Sequence, residues 1–229
     1  MDLSGAKIRA LACDYDGTLA HEGRVAEATT DALGRFKASG RRLLMVTGRE
    51  LVHLREIYPY LGLFDAIVCE NGAQLYQPNL EVERSLAPGP TTQFIEALRA
   101  RGVEPLNIGR SIVATTLENE TRVLEVVEQQ HNGWQVIRNK DSVMSLPAGV
   151  DKASGFKIAL DLLGLDAAQV MGVGDAENDE AFIAACGVGA AVANALPALK
   201  AMADIVTRGA DGAGVVELID QVLVDAVAA

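Results

Sequence analysis

Short apolar runs alternate with amphipathic segments along this chain, and that rhythm limits what it can fold into. Residues 7–14, KIRALACD, read as a buried strand. Residues 27–40 read as a helix with Ala28, Ala32, Leu33 and Phe36 on one face and Gly40 as its stop. A strand at 41–48 follows, then a helix over 50–62 that Pro59 ends, then a strand and turn over 65–73. The rhythm resumes late in the chain: helix 153–164, strand 169–175, helix 177–187, strand 188–193, helix 196–203, a short strand at 204–207 and a last helix over 214–227. Strand–helix alternation of this kind predicts a parallel sheet with helices on both faces.

The middle of the chain has a different order. Strands near 81–86, 104–108, 111–116, 134–139 and 142–147 are interleaved with helices over 91–101 and 118–130. The strand connections are short, which favours antiparallel pairing. The expected architecture is a doubly wound α/β core made of residues 1–76 and 150–229, with an α+β domain inserted at 77–149. The junctions 76–79 and 146–152 carry Pro78, Pro147 and Gly149 and suit hinges.

With 229 residues, 49% of them apolar, the chain can bury a sizeable core. The net charge of -11 argues against nucleic acid or an anionic membrane as the main partner. A metal ion or a few local cations still allow an anionic substrate. Cys13, Cys69 and Cys186 are scattered in apolar contexts, which predicts a reducing compartment rather than a disulfide framework or a zinc site. The N-terminus lacks the basic start and apolar run of a signal peptide, and no window reaches the length of a membrane span, so the expectation is a cytoplasmic protein, monomer or homodimer.

Four strand ends in the α/β part carry polar residues. They are Asp14 and Asp16, then Thr47-Gly48-Arg49, then Glu70-Asn71, then Asp175 with Asn178 and Asp179. Ligands of a parallel sheet bind outside the carboxyl ends of its strands, so these groups should face one crevice. Clustered aspartates repel one another unless a cation joins them, and oxygen ligands select Mg²⁺, which commonly bridges to phosphate. Asp14 can both touch the metal and attack phosphorus, and Asp16 can act as general acid and then base. Thr47 can hydrogen-bond a phosphoryl oxygen. A lysine is needed to balance charge in an oxygen-rich transition state, and Lys152, opening a helix beside the second hinge, is the best candidate.

The segments DYDGTLA (14–20), VTGR (46–49), DKASGFKIALDLLG (151–164) and GVGDAENDEAF (172–182) resemble the four motifs of the haloacid dehalogenase (HAD) superfamily. Their order and spacing are similar to the Cof-like branch, as are ENGA (70–73) and GADGAG (209–214). The resemblance implies a Rossmann-like core with a C2-type cap of the C2B kind. It implies Asp14 as nucleophile and metal ligand, and Asp16 as acid/base with its backbone carbonyl on Mg²⁺. Thr47, Gly48, Arg49, Lys152 and Asn178 would bind substrate, and Asp175 and Asp179 would complete the metal site. An aspartate at position 16 matches the phosphatases and phosphomutases of the superfamily rather than its dehalogenases. The compact cap resembles that of archaeal-type phosphoglycolate phosphatases, and sugar phosphatases share the architecture. The implied activity is Mg²⁺-dependent hydrolysis of a small phosphorylated metabolite, phosphoglycolate or a sugar phosphate; the alternatives are a phosphomutase and a non-catalytic binding protein on the same fold. The family usually places Gly directly after the lysine, where this chain has Ala153. Lys157 is a rival for the lysine role, but Lys152 stands twelve residues before Gly164, the usual register.

Other readings of these residues are weaker. A calcium loop starting at Asp14 would need Gly and Glu where Leu19 and Val25 stand. A dinucleotide fingerprint at 172–177 fails at Glu177. His21, His53 and His131 have no metal spacing, and Cys13, a strand neighbour of Asp14, should point into the core. Arg110 and Ser111, in a turn between two cap strands, are the expected cap contacts to substrate.

Overall fold

The computed structural model describes residues 8–130 and 133–228; His131 and the first seven residues of the stretch read for targeting signals lie outside them. The strands are β1 (Ala10–Cys13), β2 (Ala20–His21), β3 (Arg24–Val25), β4 (Arg42–Val46), β5 (Ala66–Cys69), β6 (Gln74–Gln77), β7 (Val82–Ser85), β8 (Asn107–Ile108), β9 (Val113–Thr116), β10 (Trp134–Asn139), β11 (Ser142–Pro147), β12 (Val170–Gly174), β13 (Val188–Ala191) and β14 (Ile205–Val206). The α-helices are α1 (Glu27–Ala38), α2 (Leu51–Ile57), α3 (Thr92–Ala100), α4 (Glu120–Gln130), α5 (Lys152–Leu163), α6 (Glu180–Ala184), α7 (Pro197–Met202) and α8 (Asp211–Ala228). No helix among the described residues is long and apolar enough to cross a membrane.

The large sheet has the order β14-β13-β12-β1-β4-β5-β6-β7. Pairing is parallel from β14 to β5 and antiparallel from β5 to β7. Its central strands are buried throughout: ALAC in β1, AIVC in β5, VMGVG in β12, and all but the first residue of β4. A parallel sheet is covered on both faces, and that is why these strands read as continuous apolar runs rather than alternating ones. Helix α1 packs on α8, and α5 packs on α6 and against β5. Gly155 allows the second contact, since a Cβ there would lie 2.5 Å from the Gly72 Cα and 2.6 Å from a Val68 methyl.

From β1 the chain winds outward both ways, to β4 and β5 on one side and to β12, β13 and β14 on the other. The crevice beyond the carboxyl end of β1 is therefore the switch point where ligands of such sheets bind. Register levels the strand ends: Cys13 pairs with Val173 and with Met45, and Val46 pairs with Val68.

A second, four-stranded antiparallel sheet has the order β10-β11-β9-β8. With α3 and α4 it encloses its own core of Phe94, Leu98, Val103, Val113, Val123, Val126 and Val143. The strand expected at 81–86 does not belong to this sheet. It is β7, and its pairing runs from Gln74–Ser85 to Gln77–Val82 along the edge of the large sheet. The segment 76–79 is accordingly no hinge but part of a tight turn, built on the short 3₁₀ helix Pro78–Leu80, inside a core hairpin.

Asp65 ties three elements together before β5 begins. Its carboxylate accepts from the Leu43 N–H (2.9 Å) and from Arg42 (2.8 Å), and the Lys37 ammonium lies 3.1 Å away. Burial works to raise its pKa, but these donors outweigh burial and hold the group below the usual carboxylate range. A depressed folded pKa gives stability that is present above the unfolded value of about 3.9 and lost as pH falls through the folded value. Asp65→Ala is expected to lose about 1–3 kcal/mol in urea unfolding at pH 7. The gap from wild type should close as both are acidified below pH ~3.9.

Candidate active site

Asp14 directly follows β1, and its N–H continues the ladder to the Val173 carbonyl (3.0 Å). Thr47 does the same after β4, donating to the Val68 carbonyl (2.8 Å). Asp175 follows β12, and Asp179 ends the 3₁₀ turn Glu177–Asp179 that comes next. One Asp179 oxygen accepts from the N–H groups of Asp175 (2.9 Å) and Ala176 (3.0 Å), which folds the turn back on itself. Lys152 is the first residue of α5. A reciprocal capping box fixes that helix end: Asp151 accepts from the Ser154 N–H (2.7 Å), and the Asp151 N–H donates to the Ser154 hydroxyl (3.0 Å).

These segments meet at one ammonium. Lys152 Nζ lies 2.5 Å from Asp14 Oδ1 and 2.7 Å from Asp179 Oδ1, and its side chain is only 1% exposed. Burial alone would depress Lys152, but the two carboxylates more than reverse this and hold it above its ordinary value, so it is charged. Asp14, Asp175 and Asp179 each present an oxygen within 4.8 Å of the others, and all three residues are buried. Burial pushes Asp14 and Asp175 above the usual carboxylate range, and Asp179 raises both further. Lys152 bridges two of these three carboxylates, and the cluster as a whole carries more negative than positive charge. An all-oxygen donor set of this size suits a hard divalent cation such as Mg²⁺.

The Asp16 carboxylate stands outside this triad. Arg49 holds it by two bonds, Nε at 2.6 Å and a terminal nitrogen at 2.7 Å, and the Asp16 side chain is 43% exposed. The Arg49 guanidinium also lies 5.4 Å from the centre of the Tyr15 ring. The Thr47 hydroxyl accepts from the Arg49 N–H (3.1 Å), which leaves its own proton to donate. Gly48 lies against Asn71: a Cβ there would be 3.3 Å from the Asn71 side-chain oxygen. Asn178 donates to that same oxygen (2.9 Å), and its own side-chain oxygen is buried without a partner. Asn178 and Lys152 line one small cavity of about 210 Å³.

Two expected contacts lie elsewhere. Ser111 is buried, and its hydroxyl donates to the Ala87 carbonyl (3.0 Å) rather than facing the crevice. Arg110 pairs with Glu83 (2.8 Å). The cause is Glu70, whose carboxylate turns away from the crevice and accepts the N–H groups of Arg110 (3.1 Å), Ser111 (2.7 Å) and Ile112 (3.0 Å). This docks the second sheet on the end of β5. Burial nevertheless keeps the Glu70 carboxyl above its ordinary pKa.

One site residue was missed in the sequence. Lys140, in the turn between β10 and β11, reaches across from the second sheet and pairs with Asp175, while its N–H donates to Glu177 (3.1 Å). Its only local signal is a turn sequence, NKDS, which gives no hint of the far partner.

A doubly wound core with a buried carboxylate–lysine centre at its switch point, overhung by a second sheet, defines a class of phosphate-processing α/β enzymes. The comparisons are specific about which. The family model for haloacid dehalogenase-like hydrolases matches residues 11–114 and 104–219. A phosphoglycolate phosphatase from Methanothermobacter thermautotrophicus is 32% identical over 93% of this chain and 97% of its own. Phosphoglycolate phosphatase 2 from Saccharolobus solfataricus is 31% identical over 97% and 95%. Among solved structures, a haloacid dehalogenase-like hydrolase from Bacteroides thetaiotaomicron superposes with TM-score 0.81 at 19% identity, covering 94% of this chain and 100% of that one. A HAD subclass IIB sugar phosphatase gives 0.77 at 20%, covering 93% and 98%. This chain belongs to the haloacid dehalogenase-like hydrolase family and is a phosphoric monoester hydrolase.

Removing the central ammonium strands two buried carboxylates. Lys152→Met is expected to cost about 3–5 kcal/mol of stability in chelator at neutral pH, read by urea unfolding. A loss below ~1 kcal/mol would mean that the lysine is not what holds the carboxylates together.

Proposed function

We propose that the protein is a Mg²⁺-dependent phosphatase that hydrolyses a small phosphomonoester through an aspartyl-phosphate, with phosphoglycolate the foremost candidate. The observation that carries the reaction is the buried Asp14–Lys152–Asp179 bridge beside Asp175 at the carboxyl ends of β1 and β12. The substrate reading rests on the phosphoglycolate phosphatases that match nearly the full chain.

Asp14 and Asp175 would hold the metal directly, together with the backbone carbonyl of Asp16. Asp179 would complete that site and also anchors Lys152 and the 175–176 turn through its two oxygens. Bound Mg²⁺ supplies charge neutralisation for the carboxylates and the phosphoryl oxygens. Lys152, the Thr47 hydroxyl and the Gly48–Arg49 turn bind and orient the phosphoryl group, with Asn178 at the edge of the pocket. An Asp14 oxygen attacks phosphorus as the bond to the leaving oxygen breaks, and Asp16 gives that oxygen its proton. Asp16 then takes a proton from water as the water oxygen attacks the aspartyl-phosphate, releasing phosphate and restoring Asp14. Arg49, bonded to both Asp16 oxygens, orients that carboxyl group toward the leaving oxygen and the water. In this reading the second sheet with α3 and α4, without the core strand β7, is the cap that excludes bulk water from the site.

Wild-type protein with Mg²⁺ is expected to release phosphate from phosphoglycolate. Chelation should abolish the activity, and Asp14→Asn should lower it by on the order of 10⁴-fold or more. Unchanged turnover in Asp14→Asn would exclude the aspartyl route. Turnover of other phosphomonoesters but not phosphoglycolate would replace the substrate.

A further inference from the structure

A cleft of about 570 Å³ opens between the core loop that follows β1 and the tip of the β10–β11 hairpin. Asp16, Gly17, His21 and Asn194 line its core side, and Asn139 and Lys140 line its cap side. The other lining residues include Glu22, Asp141 and Asp211, so the walls are rich in carboxylates. Two of these carboxylates already have cationic or potentially cationic partners, Asp16 with Arg49 and Asp211 with His21. Lys140 is the only lysine or arginine among the lining residues. Asp16, the proposed proton donor to the leaving oxygen, and Lys140 thus face the same cleft.

The position of Lys140 is unusual for a surface lysine. It stands at positive φ (50°) in the hairpin turn, and its ammonium is paired with Asp175, a residue of the opposite sheet. Its side chain is 42% exposed, while that of Asp175 is 1% exposed, so the ammonium lies at the seam between cleft and buried centre. Gly17 makes room for this: a Cβ there would lie 2.9 Å from Lys140 Nζ and 2.3 Å from an Asp175 oxygen. Asp175 and Asp14 present oxygens within 4.8 Å of each other, so the ammonium lies within one small molecule's length of the nucleophile. The Asp175 oxygen that Lys140 occupies is also one that a divalent cation would claim. With that oxygen taken, Lys140 would be left as a cation without a partner at the mouth of the cleft.

We propose that Lys140 is the residue of the cap that sets substrate specificity, binding a carboxylate carried by the leaving group of the phosphomonoester. This rests on the phosphatase reading of the site and narrows it to acidic substrates over neutral ones of the same size. The ammonium exchanges Asp175 for the substrate carboxylate as the cleft fills, which couples substrate binding to closure of the hairpin over the core. The phosphoryl group itself stays with Lys152 and Thr47, so Lys140 reads only the remote end of the molecule.

The test uses two non-hydrolysable ligands of matched size, phosphonopropionate with a carboxylate and propylphosphonate with a methyl group in its place. Their affinities for wild type, Lys140→Met and Lys140→Glu are measured by calorimetry with Mg²⁺ present. Wild type should prefer the carboxylate ligand by roughly 10-fold to 100-fold, the range expected for one charge-assisted hydrogen bond. The preference should vanish in Lys140→Met and reverse in Lys140→Glu. A fold or metal-site defect would weaken both ligands alike, so the ratio isolates the proposed contact. No preference in wild type, a preference kept in Lys140→Met, or equal weakening of both ligands would each overturn the proposal. Phosphoglycolate turnover is assayed separately: its absence alongside an intact, Lys140-dependent preference would sink the proposed reaction and leave the role of Lys140 standing.

Discussion

Lys152 is the charge on which the rest of the centre depends. Its ammonium is buried and lies 2.5 and 2.7 Å from carboxylates that come from opposite ends of the chain. A lone ammonium or carboxylate at that depth is costly, and each member is tolerable only because the others are there. The arrangement is possible because several local structures agree. The capping box starts α5 at Lys152, the Asp179 turn captures two backbone N–H groups, and the parallel register brings Asp14 and Asp175 to one level. Even so, two ammonium groups, Lys152 and Lys140, against three carboxylates leave net negative charge at the centre. That excess attracts a divalent cation, and through it a phosphate.

The second sheet meets the core at two polar points of opposite character. At the end of β5, Glu70 gathers three N–H groups of the 110–112 turn in a buried contact. At the far tip, Lys140 reaches Asp175 from a partly exposed position. The first contact is a fixed anchor, because opening it would strand both a buried carboxylate and several backbone donors. The second joins a partly exposed ammonium to a buried carboxylate, so Lys140 can change partners cheaply only where a bound cation takes over Asp175. One firm and one exchangeable attachment suit a lid that stays in register while its tip answers to what enters the cleft.

Family resemblance and geometry also account for one departure in the chain. The family usually has Gly directly after the motif lysine, and here Ala153 stands there. Gly155, two residues further on, makes the close approach: its Cα side faces Gly72 and Val68 at distances no side chain would permit. Helix α5 therefore still seats Lys152 at the crevice.

The sequence by itself determined the parallel core, because continuous apolar strands and amphipathic helices are local patterns. It also determined the chemical groups at the strand ends, because in a parallel sheet the residues following buried strands converge on one crevice. Asp14, Asp175 and Asp179 were legible for that reason, and Lys152 from its place at the start of a helix beside the second junction. The tertiary structure alone decided what those patterns leave open. The edge strand Val82–Ser85 joined the large sheet because a tight turn returns it beside β6, a pairing that the hydrophobic pattern does not encode. Glu70 turned to the cap rather than the crevice and holds the Arg110–Ser111 backbone, while the Ser111 hydroxyl goes to Ala87 and the Arg110 guanidinium to Glu83. Asp16 found Arg49, and Lys140 found Asp175, 35 positions further along the chain. Partners of this kind are set by where two sheets touch, and no local stretch of sequence carries that distance.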